Sequence, residues 1–316
     1  MNDRIENTIL NSLFFNEDFV RKAIPFIKPH YFSKRDERSL FIEVDKFVQK
    51  YNNLPTKETI LIEKPEKHVI KCTLNRPEAA NAFNSAMAEE LFLFFEALSL
   101  DHKNIRVIIL TGAGKKSFCA GGDLKERNGM TSDQWFKQHK LYERMVRSIT
   151  NCPLPIIGAV NGVAYGGGCE LVAALDFAYA ANDAIFAQTE TKLGIIPGAG
   201  GTQNLPRTIG KKRALELILT GKTFSAQEAK EWGLINELFS SDNLLTKVTE
   251  VANLIALNAP IAVKQAKFAI NKGVDMPLSE ALSLEIEAYN KTVPTDDRTE
   301  GILAFNEKRL PKFKGK

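Results

Sequence analysis

The sequence predicts an α/β fold in which helices cover a core sheet, and two observations support this class. Short apolar segments recur at residues 69–77 (VIKCTLNRP), 106–112 (RVIILTG) and 155–162 (PIIGAVNG). Segments with helical periodicity lie between and after these expected strands. Buried apolar strands that alternate with helices are typical of a sheet covered on both faces.

The elements follow from the chain in order. After the first strand, Asn84 or Ser85 can cap a helix, because either side chain accepts a hydrogen bond from a free amide. A further strand is expected near residues 174–181 (ALDFAYAA). Helical periods then dominate residues 212–221, 225–234 and 243–257. The apolar face of the first helix is expected to consist of Met87, Leu91, Phe94, Phe95 and Leu98.

Composition bounds the class of protein. The 316 residues are 44% hydrophobic and 25% charged, which is ordinary for a globular protein. A net charge of +4 is too small to indicate nucleic-acid binding, although the final KRLPKFKGK is locally basic. No apolar run approaches 18 residues, and MNDRIENTIL lacks the features of a signal peptide. The expected location is therefore the cytoplasm, with no membrane association.

The cysteines and histidines give no sign of a metal site. The four cysteines form no C-x-x-C pair, and the four histidines show no metal-binding spacing. Reduced, buried thiols and the absence of a metal are expected. These cysteines are Cys72, Cys119, Cys152 and Cys169.

Two glycine-rich stretches resemble nucleotide-binding loops but lack their spacing. TGAGKKS (111–117) has no glycine five residues before Gly114, as a phosphate loop requires. PGAGG (197–201) does not match G-x-G-x-x-G. Neither a nucleoside triphosphate site nor a dinucleotide fold is expected.

The stretch AYGGGCEL (164–171) indicates chemistry. An expected strand enters it and an apolar segment leaves it, which places the glycines at a helix N-terminus. Free amides there, together with the helix dipole, favour negative charge. Glu170 would lie in the first turn. The structural alternative is that the glycines permit close packing and that Glu170 only complements the dipole.

A second glycine turn strengthens the chemical interpretation. FCAGGDLKER (118–127) again follows an apolar strand, and two such turns can donate two hydrogen bonds to one oxygen. A second carboxylate, Glu190, lies in AQTETKLGIIPGAGG (187–201), in which Gly198 is expected to open a helix. Two carboxylates beside an oxyanion hole suggest acid–base work at a carbon α to a carbonyl. The alternative for Glu190 is a solvated loop carboxylate.

Together these motifs resemble the crotonase, or enoyl-CoA hydratase/isomerase, superfamily. The resemblance is carried by FCAGGDLKE, NGVAYGGGCELVAALD and ETKLGIIPGAGGTQNLPRTIG, and it extends from about Thr59 to Lys316. It implies a spiral of ββα units at 59–255 and a helical trimerisation region at 256–316. It also implies a homotrimer or a dimer of trimers.

The resemblance further implies an acyl-CoA thioester substrate, with no separate cofactor and no metal. The amides of Gly122 and Gly167 would bind the thioester oxygen. Glu170 would activate a water molecule, and Glu190 would deliver a proton to the α-carbon. The Gly198 amide would help to hold the water.

The coenzyme A site is also implied by resemblance. Its expected residues are Ala80, Ala82, Asp123, Leu124, Lys125, Phe305 and Lys308. The last two belong to the C-terminal tail, which often reaches the nucleotide from a neighbouring subunit.

Because both glutamates are present, the favoured reaction is enoyl-CoA hydration; an isomerase and an acyl-CoA hydrolase are the alternatives. Two details differ from common members. Gly122 stands where alanine is common, and Thr189 stands where many short-chain hydratases have proline. Thr189 and the ending FNEKRLPKFKGK favour members similar to methylglutaconyl-CoA hydratase. Such reactions belong to fatty acid metabolism or branched-chain amino acid degradation.

Residues 1–58 are not part of a usual crotonase domain. Residues 14–58 (from FFNEDF to NNLPTKE) resemble a fragment of the N-terminal domain of phage DnaB-like replicative helicases. No phosphate loop follows, so no helicase motor is expected. A gene fusion, an assembly chimera or an inactive helical extension would each explain this segment. A function of a different class follows from it: an interaction module that contacts a replication protein or self-associates.

Overall fold

The computed structural model describes residues 27–32, 38, 41–42, 59–102 and 104–316. The predicted helicase-like segment, residues 1–58, lies outside the described residues except for these short pieces. Within it, Pro29–Tyr31 form one 3₁₀ turn. The predicted contact with a replication protein therefore stays a prediction, as does the domain boundary near residue 59.

Two sheets organise the described part of the chain. The larger has the strand order β1-β2-β3-β5-β7-β10, and the smaller has the order β4-β6-β8-β9. The strands are β1 (Ile60–Glu66), β2 (Val69–Leu74), β3 (Val107–Gly112), β4 (Ser117–Cys119), β5 (Ile156–Val160), β6 (Val163–Tyr165), β7 (Phe177–Ala181), β8 (Ile185–Ala187), β9 (Thr223–Ser225) and β10 (Glu237–Phe239).

Helices connect and cover these strands. Two further 3₁₀ turns, Pro77–Ala79 and Glu190–Leu193, lie in loops. The helices are α1 (Ser85–Leu100), α2 (Leu124–Arg127), α3 (Ser132–Asn151), α4 (Gly167–Ala174), α5 (Gly201–Ile209), α6 (Lys211–Thr220), α7 (Ala226–Glu231), α8 (Ser241–Ala256), α9 (Pro260–Gly273), α10 (Leu278–Asn290) and α11 (Asp296–Asn306).

The chain winds as a spiral, because consecutive strands from β3 to β8 alternate between the two sheets. β3, β5 and β7 are parallel neighbours in the larger sheet, and each is followed by a strand of the smaller sheet, namely β4, β6 and β8. Helices follow each of these second strands. This is the predicted arrangement of ββα units, followed by the predicted helical region.

The central strands are buried on both faces, as their continuous apolar sequence predicts. In β3, Ile108 and Leu110 pack into the main core, which also holds the apolar face of α1. Val107 and Ile109 point to the other face and pack with Leu244 and its neighbours on α8. The alternation of side chains along the strand thus joins two layers of helices to one sheet.

Local signals in the sequence place several of these helices correctly. The Asn84 side chain accepts a hydrogen bond from the Met87 amide at 2.9 Å and caps α1, as predicted. Ser225 and Glu228 form a reciprocal capping box at the start of α7. The helix predicted at residues 225–234 is shorter than expected, because it ends at Glu231.

The C-terminal helices expose large apolar side chains in a single chain. Ile270, Leu278 and Ile286 are each more than half exposed, and Phe305 is 84% exposed. These side chains belong to three successive helices, α9, α10 and α11. None of the helices in the described part of the chain could serve as a membrane span.

Candidate active site

Three segments that the sequence singles out follow three neighbouring strands. β4 pairs with β6 and β6 pairs with β8, in both cases in parallel. The carboxyl ends of parallel strands meet at one edge of a sheet, where ligands commonly bind. The segments 120–123, 166–168 and 188–190 therefore converge, although they are far apart in sequence.

The two glycine turns interlock, and this contact explains their composition. Gly121 has φ +90°, and a Cβ on it would lie 2.9 Å from the Gly167 amide nitrogen. A Cβ on Gly168 would lie 2.0 Å from the carbonyl oxygen of Cys119. Since backbone atoms cannot yield as flexible side chains do, larger residues at these two positions would separate the turns.

Gly168→Ala is therefore expected to destabilise the fold by about 3 kcal/mol or more, as overpacking against backbone does. Thermal unfolding of the purified variant checks this expectation. Gly273→Ala is the matched control, because Gly273 also lies in a helix, α9, and a Cβ there would lie 3.4 Å from its nearest neighbour, the Cβ of Ala281. A Gly168→Ala protein as stable as the control would contradict the packing described.

The amides of Gly122 and Gly167 are available to a ligand. Both residues line one cavity, and Gly167 is the first residue of α4. Neither amide donates a hydrogen bond to another residue that the structure describes. Two unpaired donors on adjoining turns can bind one oxygen atom that gains negative charge.

Glu170 is a buried carboxylate that backbone amides hold in place. Its Oε1 accepts hydrogen bonds from the amides of Ala199 at 2.8 Å and Gly201 at 2.7 Å. Burial raises the pKa of Glu170, and these amides oppose the rise. Hydrogen bonds to the charged form favour a carboxylate. The geometry therefore suits a proton acceptor.

The helix predicted to open at Gly198 begins instead at Gly201, so that prediction is wrong. Gly200, with φ +102°, precedes α5 and turns the chain into it. Gly198 lies in the loop before this turn and lines the cavity. A Cβ there would lie 2.4 Å from Cε1 of His139, so the absence of a side chain lets α3 pack against this loop.

Glu190 is not a solvated loop carboxylate, so that alternative is wrong. It starts a 3₁₀ turn directly after β8, and only 8% of it is exposed. Burial and the charge of Glu170 raise its pKa to about 7. Its Oε2 has no hydrogen-bond partner among the residues that the structure describes. Near neutral pH this group can therefore carry a proton.

One cavity of about 550 Å³ joins these groups. The structure brings together Gly122, Leu124, Gly167, Glu170, Glu190 and Gly198 of the predicted site residues. Its other walls are mainly apolar, which suits an acyl chain. The predicted residues that do not line it are Ala80, Ala82, Asp123, Lys125, Phe305 and Lys308.

Two of these outer residues brace the first glycine turn. Asp123 forms a 2.8 Å ion pair with Arg76 and caps α2 through its other oxygen. Burial raises the pKa of Asp123, but Arg76 and the capping amides outweigh burial and lower it overall. The Ala80 carbonyl accepts a hydrogen bond from the Ala120 amide at 3.0 Å. Their contacts with coenzyme A stay predictions.

Comparison with known proteins identifies the family. A family model described as enoyl-CoA hydratase/isomerase matches residues 64–316. The chain belongs to this family. One similar protein is the enoyl-CoA hydratase of Bacillus anthracis, whose sequence is 47% identical to this one. Its crystal structure superposes on this chain with a TM-score of 0.80. That match covers 82% of this chain and all of the other.

Two curated relatives in the family carry more specific names. The short-chain-enoyl-CoA hydratase of Clostridium acetobutylicum is 40% identical over 250 residues, or 79% of this chain and 95% of the relative. The mitochondrial methylglutaconyl-CoA hydratase of Homo sapiens is 38% identical over 258 residues, or 80% of this chain and 76% of the relative. An acyl-CoA substrate is consistent with this family.

Sequence reasoning missed one wall of the cavity. Trp135, His139 and Tyr142 lie on α3 and line it, together with Arg127 at the end of α2. The first three residues are four and then three positions apart, and this spacing could have indicated one face of a helix. No local signal distinguishes Arg127, because a charged residue at the end of a short helix is usually solvated.

Proposed function

We propose that this member of the family is an enoyl-CoA hydratase, which adds water across the α,β double bond of an enoyl-CoA thioester. The observation that carries the proposal is the pair Glu170 and Glu190, buried in one cavity in different environments. Addition of water needs one group that accepts a proton and one that donates it. Two carboxylates whose surroundings differ can divide these roles.

In the proposed mechanism the thioester oxygen binds between the amides of Gly122 and Gly167, which stabilise the enolate as charge develops. Glu170 takes a proton from water, and the water oxygen bonds to the β-carbon. Protonated Glu190 then gives its proton to the α-carbon, and the enolate collapses to the thioester. Transfer of a proton from Glu170 back to Glu190 restores the starting state.

The first test is the loss of enoyl-thioester absorbance when purified protein meets crotonyl-CoA without added metal or redox cofactor. We expect rapid loss. A folded protein that leaves the absorbance unchanged would contradict hydration and favour the isomerase, whereas hydrolysis of the thioester would also remove the absorbance. Free thiol release, measured in the same reaction, separates the hydrolase from the other two.

The rate should depend on pH through the two glutamates. Glu190 must be protonated to donate, and its pKa is about 7, so kcat/KM should fall as the pH rises above that value. Glu170 must be ionised to accept, and its pKa is also raised. On the acid side, the rate should therefore fall at a pH above the ordinary pKa of a glutamate. A rate that stays constant across both limbs would contradict these roles.

The acyl group has a second candidate besides a short neutral chain. Thr189 before Glu190, and a 38% identical relative named methylglutaconyl-CoA hydratase, favour a methylglutaconyl-like chain. Parallel assays of crotonyl-CoA and methylglutaconyl-CoA rank the two candidates directly.

We also propose that the exposed apolar side chains of α9, α10 and α11 are covered in a homotrimer or a dimer of trimers. Phe305 and Lys308 would then reach the coenzyme A of a neighbouring subunit, while Lys125 and Ala82 contribute within the chain. Light scattering of the purified protein measures the mass. A monomer that is fully active would contradict this arrangement.

A further inference from the structure

Arg127 places a positive charge in the wall of the cavity. Its guanidinium carbon lies 4.3 Å from the ring centroid of Trp135 and 5.1 Å from that of Tyr142. Its Nε donates a hydrogen bond to Oε1 of Gln138 at 2.8 Å. All three partners belong to α3, so the planar group is fixed rather than free to extend into solvent.

No carboxylate among the described residues forms an ion pair with Arg127. The nearby Glu126 accepts hydrogen bonds from the Gln138 side chain at 2.7 Å and from the Ser85 amide at 2.9 Å. Asp123 is engaged by Arg76. The two terminal nitrogens of Arg127 thus keep their donors for a ligand. A half-buried cation without a counter-ion is costly, and an anionic ligand would compensate this cost.

The glycine at position 122 makes room for this cation. A Cβ on Gly122 would lie 3.2 Å from the guanidinium carbon of Arg127, closer than an ordinary contact. The guanidinium therefore packs directly against the turn whose amide is proposed to bind the thioester oxygen. A carboxylate on Arg127 and an oxygen on Gly122 can belong to the same short acyl chain.

We propose that Arg127 binds a carboxylate at the far end of the acyl chain and selects enoyl-CoA thioesters of dicarboxylic acids over neutral ones. This inference rests on the proposed hydration. The planar guanidinium matches a carboxylate through two parallel hydrogen bonds, which a neutral chain end cannot accept. A site built around a polar partner rejects analogues that lack it.

The test compares two thioesters of equal size. Glutaconyl-CoA ends in a carboxylate, and in 5-methylhex-2-enoyl-CoA an isopropyl group replaces that carboxylate. The kcat/KM of each is measured for the wild type, Arg127→Met and Arg127→Lys. Arg144→Met is the matched control, because Arg144 also stacks on a ring, that of Phe92 at 4.2 Å, but does not line the cavity.

The wild type should prefer glutaconyl-CoA. In Arg127→Met the ratio of the two kcat/KM values should fall about 100-fold, mainly through the KM of glutaconyl-CoA. Arg127→Lys should restore part of the preference, and Arg144→Met should keep all of it. A wild type that prefers the neutral thioester, or an equal loss for both thioesters in Arg127→Met, would overturn the inference while leaving hydration intact. Failure of the wild type to hydrate either thioester would overturn the proposed hydration and the inference with it.

Discussion

Glu190→Gln should lower kcat for crotonyl-CoA hydration by about 10³-fold or more, because an amide cannot donate the proton that the α-carbon needs. The variant keeps the shape of a side chain that is nearly buried, so binding of the thioester should change little. Steady-state rates and KM values measured beside Glu143→Gln, a half-exposed glutamate that pairs with Arg147, separate this loss from a general effect. A Glu190→Gln enzyme within tenfold of the wild type, a threshold of about 1.4 kcal/mol, would exclude Glu190 as the donor.

The same variant should alter how stability depends on pH. The pKa of Glu190 is about 7 in the folded protein and 4.5 in the unfolded chain. As the pH rises, the unfolded chain therefore loses this proton before the folded protein does. The contribution of the protonated group to stability is present below 4.5 and is lost as the pH rises towards about 7. Relative to the wild type, Glu190→Gln should gain up to about 3 kcal/mol across that window. Denaturant titrations at both ends of the window measure the difference, and parallel stability curves would contradict the raised pKa.

Glu170→Gln is expected to lose about 10²- to 10⁴-fold in kcat, because the neutral amide cannot take a proton from water. Folding should survive, since the amide oxygen of glutamine can still accept from the amides of Ala199 and Gly201. The Tm therefore serves as the control within the same variant. A large drop in Tm together with the rate would show that Glu170 acts mainly by holding the loop before α5.

The double variant, Glu170→Gln with Glu190→Gln, tests whether the two carboxylates act in one reaction. If Glu170 and Glu190 act in one reaction, the loss in the double variant should be far smaller than the product of the two single losses. Independent, multiplicative losses would indicate that the two carboxylates serve separate steps.

Much of the fold follows from sequence because its signals are local. The Asn84 cap, the apolar strands and the helical periods each depend on a few adjacent residues, and the structure bears them out. The exact start of α5 does not follow from the sequence, because Gly198, Gly200 and Gly201 all lack a side chain that could mark it. A Cβ at Gly198 would meet His139, and one at Gly201 would meet Glu170; both neighbours are distant in sequence, so this stretch alone does not reveal these contacts.

The sequence predicts those parts of the candidate site that backbone geometry defines. Glycine turns after strands predict free amides, and parallel strands bring Gly122, Gly167 and Glu190 to one edge. The environment of each carboxylate was not predictable, since the burial of Glu190 depends on packing between distant segments. Arg127 was missed for the same reason, because its role follows from α3 rather than from its own neighbours.

The most direct test of the central claim is the product formed from crotonyl-CoA in D₂O, identified by NMR. Hydration by two glutamates predicts a hydroxyl group on the β-carbon and one deuterium on the α-carbon, with the thioester intact. A shifted double bond without added oxygen, or release of free coenzyme A, would contradict it.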